Sequence, residues 1–271
     1  MTALRTLKDA ISAAKTNILD NLGQASELTG DINPYGDKTL LLDLKAEEAI
    51  IEVLHSSSIS FDILTEEKGH IKAKRRAEYL ALIDPIDGSA NLKRGIPLVT
   101  IGIAIVPYND MMSSDDAEIS VIDSIFTKET YIAVKGEGVT RNGKKVRVSK
   151  PVDLKDAIVS FDTKRTFDSL FIQSSVRTIG AIHDTRRTAS NLLDLCWTAA
   201  GFLDGMVDLR NMLPIIHLSG THMVFEAGGY VIDPNGNRFV SSLQQDEMMN
   251  FVAASNEELA KQILHKFEGK K

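Results

Sequence analysis

The sequence predicts a mixed α/β protein built in stacked layers. Three observations point there. Apolar residues recur at helical spacing near the start, middle and end of the chain. Strand-length apolar runs such as Tyr79–Ile83 and Val99–Val106 sit between turn signals. The elements do not follow one another in a regular βαβ succession.

Each element has its own warrant. Leu4, Leu7, Ile11, Ala14, Ile18 and Leu22 form one amphipathic stripe, so the chain opens with a helix. Gly30 to Asp37 carries Gly, Asn and Pro and reads as a loop. A second helix runs from near Asp43 through Leu54, with Ala46, Ile50 and Val53 on its buried face. Strands follow around Phe61–Leu64, Tyr79–Ile83 and Val99–Val106, and the polar stretch Asn109–Asp116 reads as a solvated loop. Ile119–Phe126 and Thr130–Val134 form a hairpin; Gly136-Glu137-Gly138 and Asn142-Gly143 punctuate a further one. Lys150-Pro151 marks the expected boundary between two halves, 1–150 and 151–271. Beyond it come a strand at Ala157–Phe161, a helix at Thr188–Ala200 and a strand at Asp204–Leu209. A buried helix from Ser219 to Ala227, a hairpin at Asn235-Gly236 and a last helix at Glu257–Phe267 complete the chain.

Composition bounds the function. The 271 residues suffice for one large domain or two modest ones. Hydrophobic residues at 43% and charged residues at 25% are ordinary for a soluble globular protein. A net charge of -6 argues against a general nucleic-acid binder, which carries a basic face. It does not exclude a phosphorylated small substrate, because bound metal ions reverse the local potential. Cys196 is the only cysteine, so no intramolecular disulfide forms and a reducing compartment fits. Met1–Lys8 lacks a signal-type apolar core, and no apolar run approaches the roughly 20 residues of a membrane span. The expectation is a cytoplasmic protein with no membrane partner.

The chemistry concentrates in Asp84-Pro85-Ile86-Asp87-Gly88-Ser89-Ala90-Asn91, at the end of the Tyr79–Ile83 strand. One short turn there offers two carboxylates, a hydroxyl and an amide. Thr65-Glu66-Glu67-Lys68-Gly69 closes the neighbouring strand in the same way. Oxygen-rich strand ends suit hard cations such as Mg2+. Asp84 can bridge two cations while Glu66 and the Ile86 carbonyl complete one site and Asp87 the other. A pair of cations clamps the two oxygens of an in-line phosphoryl displacement. Gly88 clears space for backbone amides to approach a phosphate. Ser89 can hold a metal-bound water, with Asp43 polarising its hydroxyl and accepting a proton. Taken alone, the turn is also readable as an ordinary Pro/Gly turn whose Asp side chains cap amides.

At these residues the sequence resembles the inositol monophosphatase superfamily. That group includes inositol-phosphate phosphatases, archaeal fructose-1,6-bisphosphatases and 3′-phosphoadenosine-5′-phosphate phosphatases. Asp84–Asn91 matches its Asp-Pro-(Ile/Leu)-Asp-Gly-(Thr/Ser)-x-Asn hallmark, Glu66-Glu67 its Glu-Glu signature, and Asp37–Asp43 its segment before the second helix. Gly136–Gly143 is similar to its Gly-rich hairpin, Arg187–Ser190 to its Arg-x-x-(Gly/Ala)-Ser helix start, and Glu226-Ala227-Gly228-Gly229 to its Glu-Ala-Gly-Gly turn.

The resemblance implies a layered αβαβα sandwich, a homodimer and an Mg2+-dependent phosphomonoesterase, Mn2+ being a possible alternative ion. Its substrate would be inositol monophosphate, fructose 1,6-bisphosphate or both, hydrolysed by in-line attack of a metal-activated water. Glu66, Asp84, Ile86 and Asp87 would hold metal. Asp43, Glu66 and Ser89 would be catalytic. Asp87, Gly88, Ser89, Asp208 and Arg210 would contact substrate. One departure stands against this: the family's second-site Asp falls on Ile216, which coordinates nothing. His217 is the nearest lone pair, one residue out of register; on general grounds His217 and His222 read as core histidines. The alternatives are therefore a non-catalytic or weakly active homologue that binds a phosphorylated metabolite, or a 3′-phosphoadenosine-5′-phosphate phosphatase. Glu67 reads as a solvated charge or a supporting partner.

Overall fold

The computed structural model describes residues 2–163 and 168–270; Met1, residues 164–167 and Lys271 lie outside the description. Helix α1 (Ala3–Asp20) buries Leu7, Ala10, Ile11, Ala14 and Ile18, as its stripe requires. Strands β1 (Leu28–Ile32) and β2 (Lys38–Leu40) pair antiparallel, so the segment expected as a loop from Gly30 begins as strand. The turn itself is closed by Asn33, whose Oδ1 accepts the amides of Tyr35 and Asp37. Helix α2 (Leu41–Ser56) then packs on α1.

The larger sheet uses β3 (Phe61–Thr65), β4 (Gly69–Ile71) and β5 (Tyr79–Asp87), then, after the one-turn helix α3 (Ser89–Lys93), β6 (Thr100–Pro107), β7 (Ile119–Ser124), β8 (Glu129–Val134), β9 (Gly138–Arg141) and β10 (Lys144–Val146). Its order is β10-β9-β8-β7-β6-β5-β3-β4, with β3 and β5 parallel. Alternate residues of β5 and β6 feed opposite faces. Ala81, Ile83, Ile101 and Ile103 join the core under α1 and α2, while Leu80, Leu82 and Ala104 join the core on the other side. Burial on both faces is why these strands read as unbroken apolar runs.

After Lys150 come β11 (Ile158–Phe161), α4 (Ser169–Ile179), β12 (Asp184–Thr185), α5 (Asn191–Ala199), β13 (Gly205–Pro214), α6 (Leu218–Glu226), β14 (Tyr230–Ile232), β15 (Met248–Ala254) and α7 (Glu257–Glu268). The second sheet runs β12-β11-β13-β15-β14. Helices α5 and α6 pack between the two sheets, and α4 and α7 pack together on the outer side of the smaller one. The result is an αβαβα stack. The middle helices sit close to the sheet: a Cβ at Gly102 would lie 2.3 Å from Leu192 Cδ1.

Other elements depart from the sequence reading. Helix α4 is not predicted; its Phe171 is buried, while Leu170, Ile172 and Val176 are exposed. Asn235-Gly236 makes the expected turn, Ile232 bridging Arg238 antiparallel and the Phe239 amide donating to the Val231 carbonyl at 2.9 Å, while the other edge of β14 pairs with β15. The Asn109–Asp116 loop ends in a short helical turn with Ser114 buried.

Candidate active site

The site grows from the end of β5. Its pairing with β6 shifts register between Asp84 and Asp87, a bulge that lets both carboxylates serve one cluster. Gly88 follows at φ 101°, where an added Cβ would lie 2.8 Å from the Leu98 carbonyl oxygen, so the turn requires glycine. Asn91 pins the turn from behind, its Nδ2 donating at 2.7 Å to both the Leu98 and Thr188 carbonyls. The last residue of the hallmark is therefore a brace. Asp87 Oδ2 accepts from Ser190 Oγ at 2.7 Å and from the Leu192 amide at 2.6 Å. Thr100 Oγ1 adds a third contact at 3.3 Å. One oxygen is thereby used up in fixing the carboxylate, and the other is left to a ligand.

Asp84 is treated differently. It is 1% exposed, yet neither oxygen has an aligned hydrogen-bond donor among the described residues. Asp43, in the first turn of α2, accepts from Ser89 Oγ at 2.9 Å through Oδ2; its Oδ1 is also buried without a donor. Ser89 Oγ lies 3.1 Å from the Ile86 carbonyl oxygen as well. The Ile86 side chain, by contrast, is core.

The Glu66-Glu67 turn is held by a residue that no motif singles out. Glu47, fully buried on α2, accepts through Oε1 from Thr65 Oγ1 at 2.7 Å and from the Glu67 and Lys68 amides at 2.9 and 3.1 Å. Glu67 is not a freely solvated charge: Thr39 Oγ1 donates to it at 2.6 Å, and burial pushes its carboxyl up to about 7. Glu66 faces the cluster. Burial first, then the charges of Asp84, Asp43, Glu67 and Asp87, raise it well above the ordinary carboxylate range. Burial, followed by Glu67, does the same to Asp43, and burial, followed by Asp84, raises Asp87. Tyr35, from the β1–β2 turn, feels Glu66 and Asp84 too; burial is the larger reason its phenol is raised.

The second half of the chain supplies an unexpected group. Ile216 is fully buried in apolar core. His217, expected to be an ordinary core histidine, instead sets Nε2 3.0 Å from Asp84 Oδ2. Asp84, Asp87 and His217 each offer a ligand atom, and these lie within 4.8 Å of one another. The short helical turn Ile215–His217 ahead of α6 brings the imidazole round to the cluster. His217 itself is raised, since attraction to Asp84 outweighs the opposing effect of burial.

Two expected substrate contacts are engaged with each other. Asp208 is 0% exposed on β13, and Arg210 Nε donates to its Oδ1 at 2.9 Å. Arg210 also pairs with Asp162 at 2.8 Å, which Arg187 meets at 2.7 Å. Both Asp208 oxygens accept from the Arg210 side chain, a charge-assisted pairing that a substrate would have to compete with. The Glu226-Ala227-Gly228-Gly229 turn is a latch, Glu226 Oε2 accepting the Gly136 amide at 2.9 Å. His222 matches its expectation as a core histidine, bonded to Ser120 Oγ at 2.8 Å.

Similarity to known proteins extends along nearly the whole chain. The profile of the inositol monophosphatase family matches residues 3–271. The chain belongs to the inositol monophosphatase family. A fructose-1,6-bisphosphatase of Pyrococcus furiosus is 30% identical over 263 residues, covering 96% of each chain. The Nus factor SuhB of Pasteurella multocida is 31% identical over 246 residues, 89% of this chain and 86% of that one. Among solved structures, an inositol monophosphatase–fructose 1,6-bisphosphatase superposes with a TM-score of 0.83 at 25% identity, covering 98% of this chain and all of the other. The extragenic suppressor protein suhB of Bartonella henselae gives 0.82 at 24% identity over 98% of each chain, a likeness of fold. Membership in the inositol monophosphatase family supports a metal-dependent phosphatase. No helix among the described residues is long and apolar enough to cross a membrane.

Proposed function

We propose that this chain is a cytoplasmic, homodimeric phosphomonoesterase, dependent on divalent metal, that acts on a small polyol or sugar phosphate. Inositol monophosphate and fructose 1,6-bisphosphate are the leading substrates, supported by the relatives named above. One observation carries the reading. Both Asp84 oxygens are buried without an aligned donor among the described residues, while Glu66, Asp43 and Asp87 crowd the same space. Buried like charges with unanswered oxygens are costly unless a cation answers them.

The donor set fits such an ion. Glu66, Asp84 and the Ile86 carbonyl would hold one divalent cation, and Asp84 with Asp87 a second. When bound, divalent cations polarise the phosphoryl oxygens and make water more acidic. The protein's own groups do the rest. Ser89 donates to Asp43, so its lone pairs are free to accept a hydrogen bond from the attacking water and to fix its position. Asp43, raised by burial, takes up the proton through Ser89. The amides at Gly88 and Ser89 orient the phosphate; α3 is only five residues long, so it contributes individual N–H groups rather than a sizeable dipole. The water oxygen bonds to phosphorus as the ester bond breaks in line with it; the departing alkoxide takes a proton from solvent and Asp43 gives up its own to solvent, so that water and phosphoester become alcohol and inorganic phosphate.

The non-catalytic alternative rested on Ile216. His217 puts a donor 3.0 Å from Asp84, so that alternative is not favoured. Phosphate release should be measured on inositol 1-phosphate, fructose 1,6-bisphosphate and 3′-phosphoadenosine 5′-phosphate, each with Mg2+ and with Mn2+. The expected result is cation-dependent turnover of a polyol or sugar phosphate. Absence of turnover on all three with both ions would sink the proposal.

A further inference from the structure

We propose that Asp84, Asp87 and His217 form a mixed nitrogen–oxygen site that selects a transition-metal ion such as Mn2+ or Zn2+ over Mg2+. The inference rests on the reading that the carboxylate cluster holds cations, but not on which phosphoester is hydrolysed.

The geometry of His217 carries the argument. Its Nδ1 lies 3.1 Å from the Pro214 carbonyl oxygen. A carbonyl can only accept, so Nδ1 carries the hydrogen, and Nε2 is the nitrogen that presents a lone pair to a cation once its own proton is displaced. Nε2 is 3.0 Å from Asp84 Oδ2, yet the contact is not aligned as a hydrogen bond. A histidine serving only to satisfy Asp84 would point an N–H along that line. An off-line approach at this distance leaves both atoms able to ligate one cation. Asp87 completes the three-way cluster with the one oxygen its protein donors leave over.

The site is also preorganised. His217 follows Ile215 and Ile216, both fully buried, and precedes Leu218 at 1% exposure, so the ring is carried on packed backbone. Asp87 is held by Ser190 and the Leu192 amide. Because Ile216 offers no oxygen, the third protein donor here is nitrogen. Imidazole suits Zn2+ and its neighbours, and Mn2+ accepts it more readily than Mg2+, which prefers an all-oxygen shell and its own waters.

The test titrates metal-free protein with Mn2+ and with Mg2+ by calorimetry and records the electron spin-echo modulation of bound Mn2+, which reports directly ligated nitrogen. Wild type should show imidazole nitrogen modulation. His217→Asn should lose it and weaken Mn2+ at one site by at least about tenfold, with Mg2+ binding unchanged. His217→Asp should keep two cations bound, lose the nitrogen signal and gain Mg2+ affinity. A wild-type spectrum without nitrogen modulation, or equal loss of both ions in His217→Asn, overturns the proposal. If His217→Asn fails to fold, the wild-type spectrum and His217→Asp decide it. A protein that shows the nitrogen signal but hydrolyses no phosphoester keeps this inference and loses the phosphatase reading.

Discussion

Two buried acidic clusters of this molecule have opposite electrostatics. In the first, Glu66, Asp43, Asp84 and Asp87 converge, and among the described residues no lysine or arginine pairs with them. In the second, Asp162 and Asp208 are at most 1% exposed, and Arg187 and Arg210 close around them. The residue types are alike; the source of countercharge differs. Where the chain supplies it, the cluster becomes a joint, here tying the end of β11 to β13 and to the segment that leads into α5. Where the chain supplies only His217 and the field of Lys93 against four carboxyl groups, the same chemistry becomes a receptor for a cation from solution. The two are linked, because Ser190, three residues past Arg187, holds Asp87.

The largest effect should follow from Asp84→Asn. It removes the carboxylate shared by both cation positions, and metal-dependent kcat/KM should fall by at least about a thousandfold. Metal-free stability should move the other way. Repulsion in the cluster is relieved, raising Tm by about 2–4 °C for each kcal/mol gained. Mg2+ should stabilise the wild type by mass action and leave this variant nearly unmoved. Thermal melts with and without metal, set beside initial rates, check all three. A variant that melts lower without metal would show Asp84 to be a structural acid, and the contrast between the clusters would collapse.

Arg210→Met breaks the second cluster. It leaves Asp162 and Asp208 buried with less countercharge, at a cost of about 3–5 kcal/mol in urea unfolding. Activity per folded molecule should stay within about an order of magnitude, since the guanidinium is committed to carboxylates outside the metal cluster. A large kinetic loss with unchanged stability would return Arg210 to the substrate.

What the sequence made legible follows the same division. Groups carried by one turn or one helix start, such as Asp84, Asp87, Gly88, Ser89 and Asp43, are visible because spacing along the chain predicts their meeting. The layer order is legible for a related reason: apolar runs buried on both faces and amphipathic stripes leave few ways to stack. Long-range contacts are not. Glu47 looks like any helix-surface acid until Thr65 and two amides close on it from 18 to 21 residues away. His217 reads as core because its site neighbours are more than a hundred residues distant and a single helical turn decides which way its ring points. Asp208 was expected at the substrate by register, and its bond to the arginine two residues on was not foreseen.

The smallest effect tests a buried imidazole whose one acidic neighbour stands at the edge of ion-pair range. His222 is 6% exposed; its Nδ1 meets Ser120 Oγ, and its Nε2 has no aligned partner among the described residues, Glu226 standing 3.9 Å away. Burial, with Lys135 adding to it, pushes the imidazole down to about 4. The unfolded chain binds a proton near pH 6.5, so between that pH and about 4 the unfolded state holds more protons than the native one. Stability from this residue is therefore complete above about pH 6.5 and is lost as the pH falls through 4. The carboxylates raised in the metal cluster act with the opposite sign, gaining stability on acidification, so the measurement must be a difference. Urea unfolding of wild type and His222→Gln at pH 7 and pH 4.5 should show the advantage of the wild type shrinking by at most about 3 kcal/mol. A constant difference across that interval would mean that His222 is protonated in the fold, with Glu226 as its counter-ion, and that burial here does not act alone.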